Sequence, residues 1–447
     1  MTPMAQCTFL AHPQPRDSGD YRHRITLPGR ALAGSMEVVE LQTTHPDWVA
    51  HCVATDLLVV CMVADATLEP VMAERTRRGL PTVYELSDDY RAFPKSLPGH
   101  AFYRVPEHQA RIERLARAAD LLQCSSHGLR ARYGALNPRC AVLPNQLCDV
   151  PPLPPVTEAR LRAPVLGWAA SAGHFDDARG LAGALLAWCT TRGLAPHEAP
   201  VLRLMAPTSI RGVFERVGLP VDWHAPAAFD EYLAFLDGMD IGFAPLGDSA
   251  FAEGRSDGKF LEYASRGVLC IASARGEYLH GMRAGETGLL YAGNDGFVRA
   301  LSQAIDDAPA RLAMRAAAHA TLLRERTHAA AASGRFALYR WLLERAGLDA
   351  APVASSLRTR VDADEAALAD ATVHHGQGRL DAALAGYLDV LDRHPDFHLP
   401  WERGGLIARA LGANEDAVRF ETMAAHALAR SLAAQPALRT APEAVAG

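Results

Sequence analysis

Lysine is almost absent from this 447-residue chain. Of its 45 lysine and arginine residues, only Lys95 and Lys259 are lysines. Cysteine is present but unorganised. Cys7, Cys52, Cys61, Cys124, Cys140, Cys148, Cys189 and Cys270 form no CxxC pair and no His/Cys cluster at metal-ligand spacing. That argues against a disulfide frame or a metal site, and reduced cytosolic thiols are expected. No apolar run is long enough to span a bilayer, and the N-terminus lacks a signal-peptide pattern. The expectation is a cytoplasmic protein with at most peripheral membrane contact. Arg111, Arg114 and Arg117 on one predicted helix read as a solvated face. A formal charge of −6 speaks against a nucleic-acid partner.

What is present points to several globular domains. With 49% hydrophobic and 21% charged residues, the chain is long enough for two or three separate cores. Short apolar runs alternate with helical patterns, as in βαβ units around a parallel sheet. The first series of strand candidates is Cys7 to Ala11, Met36 to Leu41, Asp56 to Val63, Thr82 to Leu86, Asp120 to Cys124 and Cys140 to Leu143. Pro151, Pro152, Pro154 and Pro155 then mark an interdomain linker. A second series runs through Pro164 to Trp168, Val201 to Met205, Asp240 to Pro245, Leu269 to Ser273 and Gly288 to Tyr291, and a helix Gly334 to Ala346 closes it. Two doubly wound, Rossmann-like α/β units imply a cleft between them, with ligands at the carboxyl ends of the strands.

After a hinge-like segment, Leu348 to Val361, the pattern turns all-helical. Gly378 and Gly412, Ala383 and Ala417, and Ala371 and Gly405 each lie 34 residues apart, the period of a tetratricopeptide repeat. Tyr387, Pro395 and Trp401 fill further positions of that pattern, while a plain helical hairpin is the other reading. The expected domains are residues 1–150, 151–347 and 348–447, the last ending in an Ala/Pro-rich tail from about Arg430.

Ser256-Asp257-Gly258-Lys259-Phe260-Leu261-Glu262-Tyr263 follows a strand candidate and opens a helix that Gly267 closes. Ser256 or Asp257 is placed as its N-cap. Lys259 falls in the first turn, where a cation opposes the helix dipole unless an anion occupies the helix start. Glu262 lies one turn further on the same face, where a carboxylate accepts hydrogen bonds from sugar hydroxyls. Anion donors and a hydroxyl acceptor on one helix suit a nucleotide-sugar. An ordinary amphipathic helix is the alternative. In so arginine-rich a chain, a lysine here marks a place where the compact ammonium matters.

In their order and spacing these segments resemble the GT-B glycosyltransferases, most closely the group-1 (family 4-like) set, over about Cys7 to Ala346. The resemblance is carried by Ser18-Gly19-Asp20-Tyr21-Arg22, Val83 to Asp89, Ala119 to Ser126, Val142 to Asn145, Gly167 to Asp177, Ser256 to Tyr263 and Gly285 to Leu290. It implies transfer of a sugar from a nucleotide-diphosphate sugar to a glycan or protein acceptor, usually with retained configuration and without a metal or other cofactor. Glu262 matches the second carboxylate of the family's E-x7-E motif, which holds the donor ribose. Gly254 stands where the first would be, with Glu253 one place off. The family's Arg/Lys pair for the diphosphate is missing after the first strand of the second unit, so His174 and Arg255 are the substitutes.

The donor set so implied is Gly173, His174, Gly254, Arg255, Ser256, Asp257, Gly258, Lys259, Glu262 and Glu277. Gly19, Arg22, Asp88 and Asp89 form the acceptor side, and Glu262, Lys259, Asp88 and His174 are the catalytic candidates. Asp88-Asp89 suits acceptor hydroxyls or a general base, with a helix N-cap as the plain reading. Two adjacent carboxylates without further ligands make a poor cation site. The rival function is a GT-B body without turnover whose helical tail recruits a protein partner or a second copy.

Overall fold

The computed structural model describes residues 5–97, 99–348 and 361–433. The first domain holds a six-stranded sheet of β1 (Gln6–Ala11), β2 (Glu37–Gln42), β3 (Leu57–Cys61), β4 (Thr82–Leu86), β5 (Leu121–Cys124) and β6 (Cys140–Val142), in the order β2-β1-β3-β4-β5-β6. The second sheet comprises β7 (Leu166–Ala169), β8 (Leu202–Met205), β9 (Val221–His224), β10 (Ile241–Ala244), β11 (Leu269–Ser273) and β12 (Leu289–Tyr291), in the order β12-β11-β10-β7-β8-β9. All paired strands are parallel. Leu57-Leu58-Val59-Val60-Cys61 is buried throughout, because helices cover both faces of a central parallel strand. Strand order reverses between β1 and β3 and between β7 and β10, and crevices open at such points. The expected two-domain, GT-B-like α/β architecture is present. β9 escaped the sequence reading because Val221-Asp222-Trp223-His224 is a half-exposed edge strand without an apolar run.

The helix expected at Gly334 to Ala346 spans His328–Arg345. It does not close the second domain. Its Tyr339, Leu342 and Leu343 share a core with Cys7, Phe9 and Tyr21 of the first domain, and Tyr339 Oη donates to Gln123 at 2.8 Å. A unit of residues 151–347 is thus corrected at its end, since an amphipathic pattern fixes which face is buried but not against which sheet. The chain crosses between domains twice, and the crossings are hydrogen-bonded side by side. Leu147 N donates to Arg326 O at 3.0 Å, and His328 N to Leu147 O at 2.8 Å.

Four helices follow, Val361–Gly376, Leu380–Arg393, His398–Ala410 and Asn414–Ala433. Gly378 and Gly412 both take positive φ, 73° and 78°, in equivalent turns that favour glycine. The apolar side of these helices is not free. Tyr387, Val390 and Ile407 belong to one continuous core with Trp48, Val49 and Val71 of the first domain, and Thr67 Oγ1 lies 3.1 Å from His398 Nε2. Most of the hinge-like segment, and the Ala/Pro-rich tail beyond Ala433, lie outside the described residues. No described helix is long and apolar enough to cross a membrane. Arg111, Arg114 and Arg117 pair with Glu69, Glu107 and Glu113, as a solvated face does.

Candidate active site

A cleft of about 990 Å³ lies between the two sheets at their carboxyl ends. Its floor is the helix Gly258–Ser265. Asp257 is the N-cap residue by position, but its side chain caps nothing. Its fully buried carboxylate is held instead by Arg326, Nη1 to Oδ2 at 2.7 Å and Nη2 to Oδ1 at 2.9 Å. Gly258 and Lys259 both line the cleft, and their N–H groups have no acceptor among the described residues. A helix start with free donors and a positive dipole end is an anion site.

Lys259 lines the cleft and makes no hydrogen bond or ion pair among the described residues. Burial pulls its pKa below the usual lysine range, while the nearby Glu262 charge works the other way. One turn along, Glu262 accepts from Tyr232 Oη at 2.7 Å, and its other oxygen lies 3.0 Å from His23 Nε2. Desolvation raises the Glu262 pKa, but His23, Lys259 and Tyr232 together hold it below the ordinary carboxylate range. Glu262 is a charged acceptor kept ready beside an unpartnered ammonium.

Two π-helical turns flank this helix, Arg22–Thr26 and Leu322–Arg326. One presents His23 to Glu262, and the other presents Arg326 to Asp257. Such turns re-aim side chains that regular helix would point elsewhere. Arg24, from the first turn, is buried between Glu85 and Asn145, and Asn145 Nδ2 reaches Ser256 Oγ at 3.1 Å.

From the other rim, Arg255 Nη1 donates to Asp88 Oδ1 across the cleft at 3.1 Å. Desolvation pushes the Asp88 pKa up to about 6 in spite of Arg255. Asp88 N and Ser87 Oγ contact Met62 Sδ at 3.2 and 3.3 Å, and Met62 sits at a positive φ of 51°, a strained backbone at the cleft wall. His174 Nδ1 lies 2.7 Å from Asp177, which also accepts from Gly247 N at 2.7 Å, tying together the loops after β7 and β10. Desolvation lowers the His174 pKa to about 4, so at neutral pH it offers a hydrogen bond rather than a charge.

The structure therefore gathers Gly19, Asp88, Gly173, His174, Arg255, Ser256, Gly258, Lys259 and Glu262 at one cleft. Five expected residues are corrected, since they do not line it. Asp89 is buried as a turn cap, accepting from Arg91 N and Ala92 N at 3.1 Å and bonded to Tyr133. Glu277 is turned to His127 N and Nδ1 at 2.8 and 2.9 Å, fastening the domains. Arg22 stacks over Phe229 at 3.5 Å, Gly254 packs on Leu129, and Asp257 serves Arg326. Glu253, near the family's first carboxylate, is exposed and paired with Arg275 at 2.9 Å. At the same seam a Cβ on Gly128 would lie 1.9 Å from the Glu253 carbonyl oxygen, so only glycine fits. His12, Asp20, His23 and Tyr232 line the cleft without having been singled out in the sequence. Asp20 lies within a quoted motif and His23 beside it, whereas Tyr232 carried no local signal.

Comparisons with known proteins bear on the fold that holds this cleft. Residues 198–334, which hold most of the second domain and the start of helix His328–Arg345, match the family described as glycosyl transferase-like. Among curated proteins, none matches this chain. Among solved structures, Anabaena HepE in complex with UDP and glucose is similar with a TM-score of 0.52 at 14% identity, over 77% of this chain and 98% of that one. Sucrose-phosphate synthase from Thermosynechococcus elongatus is similar with a TM-score of 0.51 at 16% identity, over 76% of this chain and 100% of that one. At these identities the likeness establishes the fold. The chain has the GT-B fold, and its residues 198–334 are glycosyl transferase-like.

Proposed function

We propose that this protein transfers a sugar from a nucleoside-diphosphate sugar to an acceptor hydroxyl, with retained configuration and no divalent metal. The observation that carries the reading is the uncapped start of helix Gly258–Ser265. There Lys259 has no partner and Glu262 waits one turn away, at the base of the interdomain cleft. In this reading the free N–H groups, Lys259 and Arg255 take the diphosphate. Charge develops on the leaving group in the transition state, so fixed donors there lower the barrier. Glu262 accepts from the ribose hydroxyls, His174 donates to the sugar or a phosphate oxygen, and Asp88 receives the acceptor hydroxyl once Arg255 turns to phosphate. UDP-glucose is the first donor to test, because Anabaena HepE is also solved with it. Release of UDP that Glu262→Ala abolishes, with circular dichroism unchanged, supports transfer.

A second reading has an observation of its own. The first family carboxylate is replaced by Gly254, and Glu253 faces Arg275 instead. UDP binding without UDP release from any acceptor mixture would favour a nucleotide-binding body that has lost turnover. Tetratricopeptide-like helices at its C-terminus would then serve a protein partner.

A further inference from the structure

Carboxylates line both walls of the cleft, and the walls differ in whether a cation is left free. On the second domain's wall, Asp176, Asp177, Asp248 and Glu262 line the cleft together with Arg255, which is paired with Asp88, and Lys259, which has no partner among the described residues. On the first domain's wall the lining carboxylates are Asp17, Asp20 and Asp88, and the lining guanidinium is Arg24. Arg24 is already neutralised by the buried carboxylate of Glu85 and directed at Asn145 and the Leu143 carbonyl. Lys95 sits between the lining residues Pro94 and Ser96, but its side chain is exposed and outside the lining. The first wall therefore offers negative charge and no free cation.

Two further observations concern the polar groups of this wall. The Asp20 side chain is half-buried and makes no hydrogen bond or ion pair among the described residues. The Nδ1 atoms of His12 and His23 are both buried without a hydrogen-bond partner, and the His23 side chain is only 6% exposed. Buried polar atoms are seldom left unpaired, so these two nitrogens are open to water or to a ligand's hydroxyl or amine hydrogens. Burial also keeps His12 below the usual imidazole range, which favours a neutral ring that both donates and accepts. Phe93, packed on Tyr103 at 4.7 Å, adds an apolar face beside these groups.

We infer that the acceptor held by this wall is an uncharged or amino-bearing carbohydrate, bound through its hydroxyl and amine hydrogens by Asp20, Asp88 and His12, and that phosphorylated sugars are excluded. A phosphate would face Asp17 and Asp20, and Asp88 already paired with Arg255, with no free cation on that wall to meet it, and like charges in a partly desolvated cleft repel strongly. The inference rests on the glycosyl-transfer reading, with the second wall given to the donor.

The test uses the full chain, titrated by calorimetry first with UDP and then, with and without UDP, with glucose, glucosamine and glucose 6-phosphate. The expected result is that glucosamine and glucose bind at least about tenfold more tightly than glucose 6-phosphate. Asp20→Asn should weaken glucosamine about tenfold and leave UDP affinity unchanged, and Asp20→Lys should admit glucose 6-phosphate. Equal or tighter binding of glucose 6-phosphate to the unaltered chain overturns the inference. So does a failure of all three sugars to bind. A chain that discriminates among the sugars yet ignores UDP refutes the donor reading and leaves this one standing.

Discussion

His23 Nε2 lies 3.0 Å from Glu262 Oε1, so a side chain of the first domain steadies the carboxylate proposed to hold the donor in the second. Tyr232 takes the other oxygen, and Glu262 is thereby oriented from both sides of the cleft. Deleting one partner of a buried charged acceptor costs about 1–3 kcal/mol. His23→Ala is expected to lower kcat/KM for UDP-glucose about ten- to hundredfold, and His23→Gln, which keeps a donor, to recover most of it. Rates of UDP release decide. Equal defects in the two variants would leave His23 no positioning role.

Asp88 supplies a pH signature. Desolvation raises its pKa from 3.8 to about 6, so the folded chain favours the neutral carboxyl. Its contribution is fully present below about pH 4 and is lost as pH rises through about 6. The ceiling is about 3 kcal/mol, reduced by the solvent that reaches the side chain. Asp88→Asn keeps the neutral shape, so its stability relative to the parent chain should climb between pH 4 and 7. Urea unfolding at several pH values measures this, and parallel curves would contradict it.

The C-terminal helices, too few for a self-standing repeat array, lean on the first domain, where Tyr387, Val390 and Ile407 complete its core. Truncation after Leu348 should therefore lower the melting temperature by several degrees and promote aggregation, since it bares the apolar surface around Trp48 and Val71. Scanning calorimetry of the truncated chain checks this. An unchanged melting temperature would mean that the contact adds nothing.

If fixed cations and amides hold the diphosphate, chelation should not matter. Turnover of UDP-glucose is expected to survive EDTA. Loss on chelation with recovery on adding magnesium or manganese would assign the leaving group to a metal instead.

Much of this was legible in the sequence. Eleven of the twelve strands follow from short apolar runs, because parallel strands are buried on both faces and need no alternation. The uncommon lysine and the carboxylate one turn later mark the helix start that the cleft exposes. Illegible were the partners brought from far along the chain. Glu277 looked like a donor ligand until His127, 150 residues away, accounted for its carboxylate. Asp257 looked like a cap until Arg326 claimed it. Asp89 looked like half of an acceptor pair, yet Tyr133 and a local turn take its Oδ1 and Arg132 pairs with its Oδ2. Local pattern reports which groups are polar and what faces a core, whereas the pairing of buried charges is a property of the assembled domains.

The most direct measurement compares UDP with uridine by calorimetry, on the parent chain and on Lys259→Ala. Loss of a charge-assisted contact to phosphate costs about 1.5–3 kcal/mol. The account predicts that Lys259→Ala weakens UDP at least about tenfold and leaves uridine within about twofold. Equal weakening of both ligands, or a parent chain that binds uridine as tightly as UDP, would show that the diphosphate does not sit at the helix start.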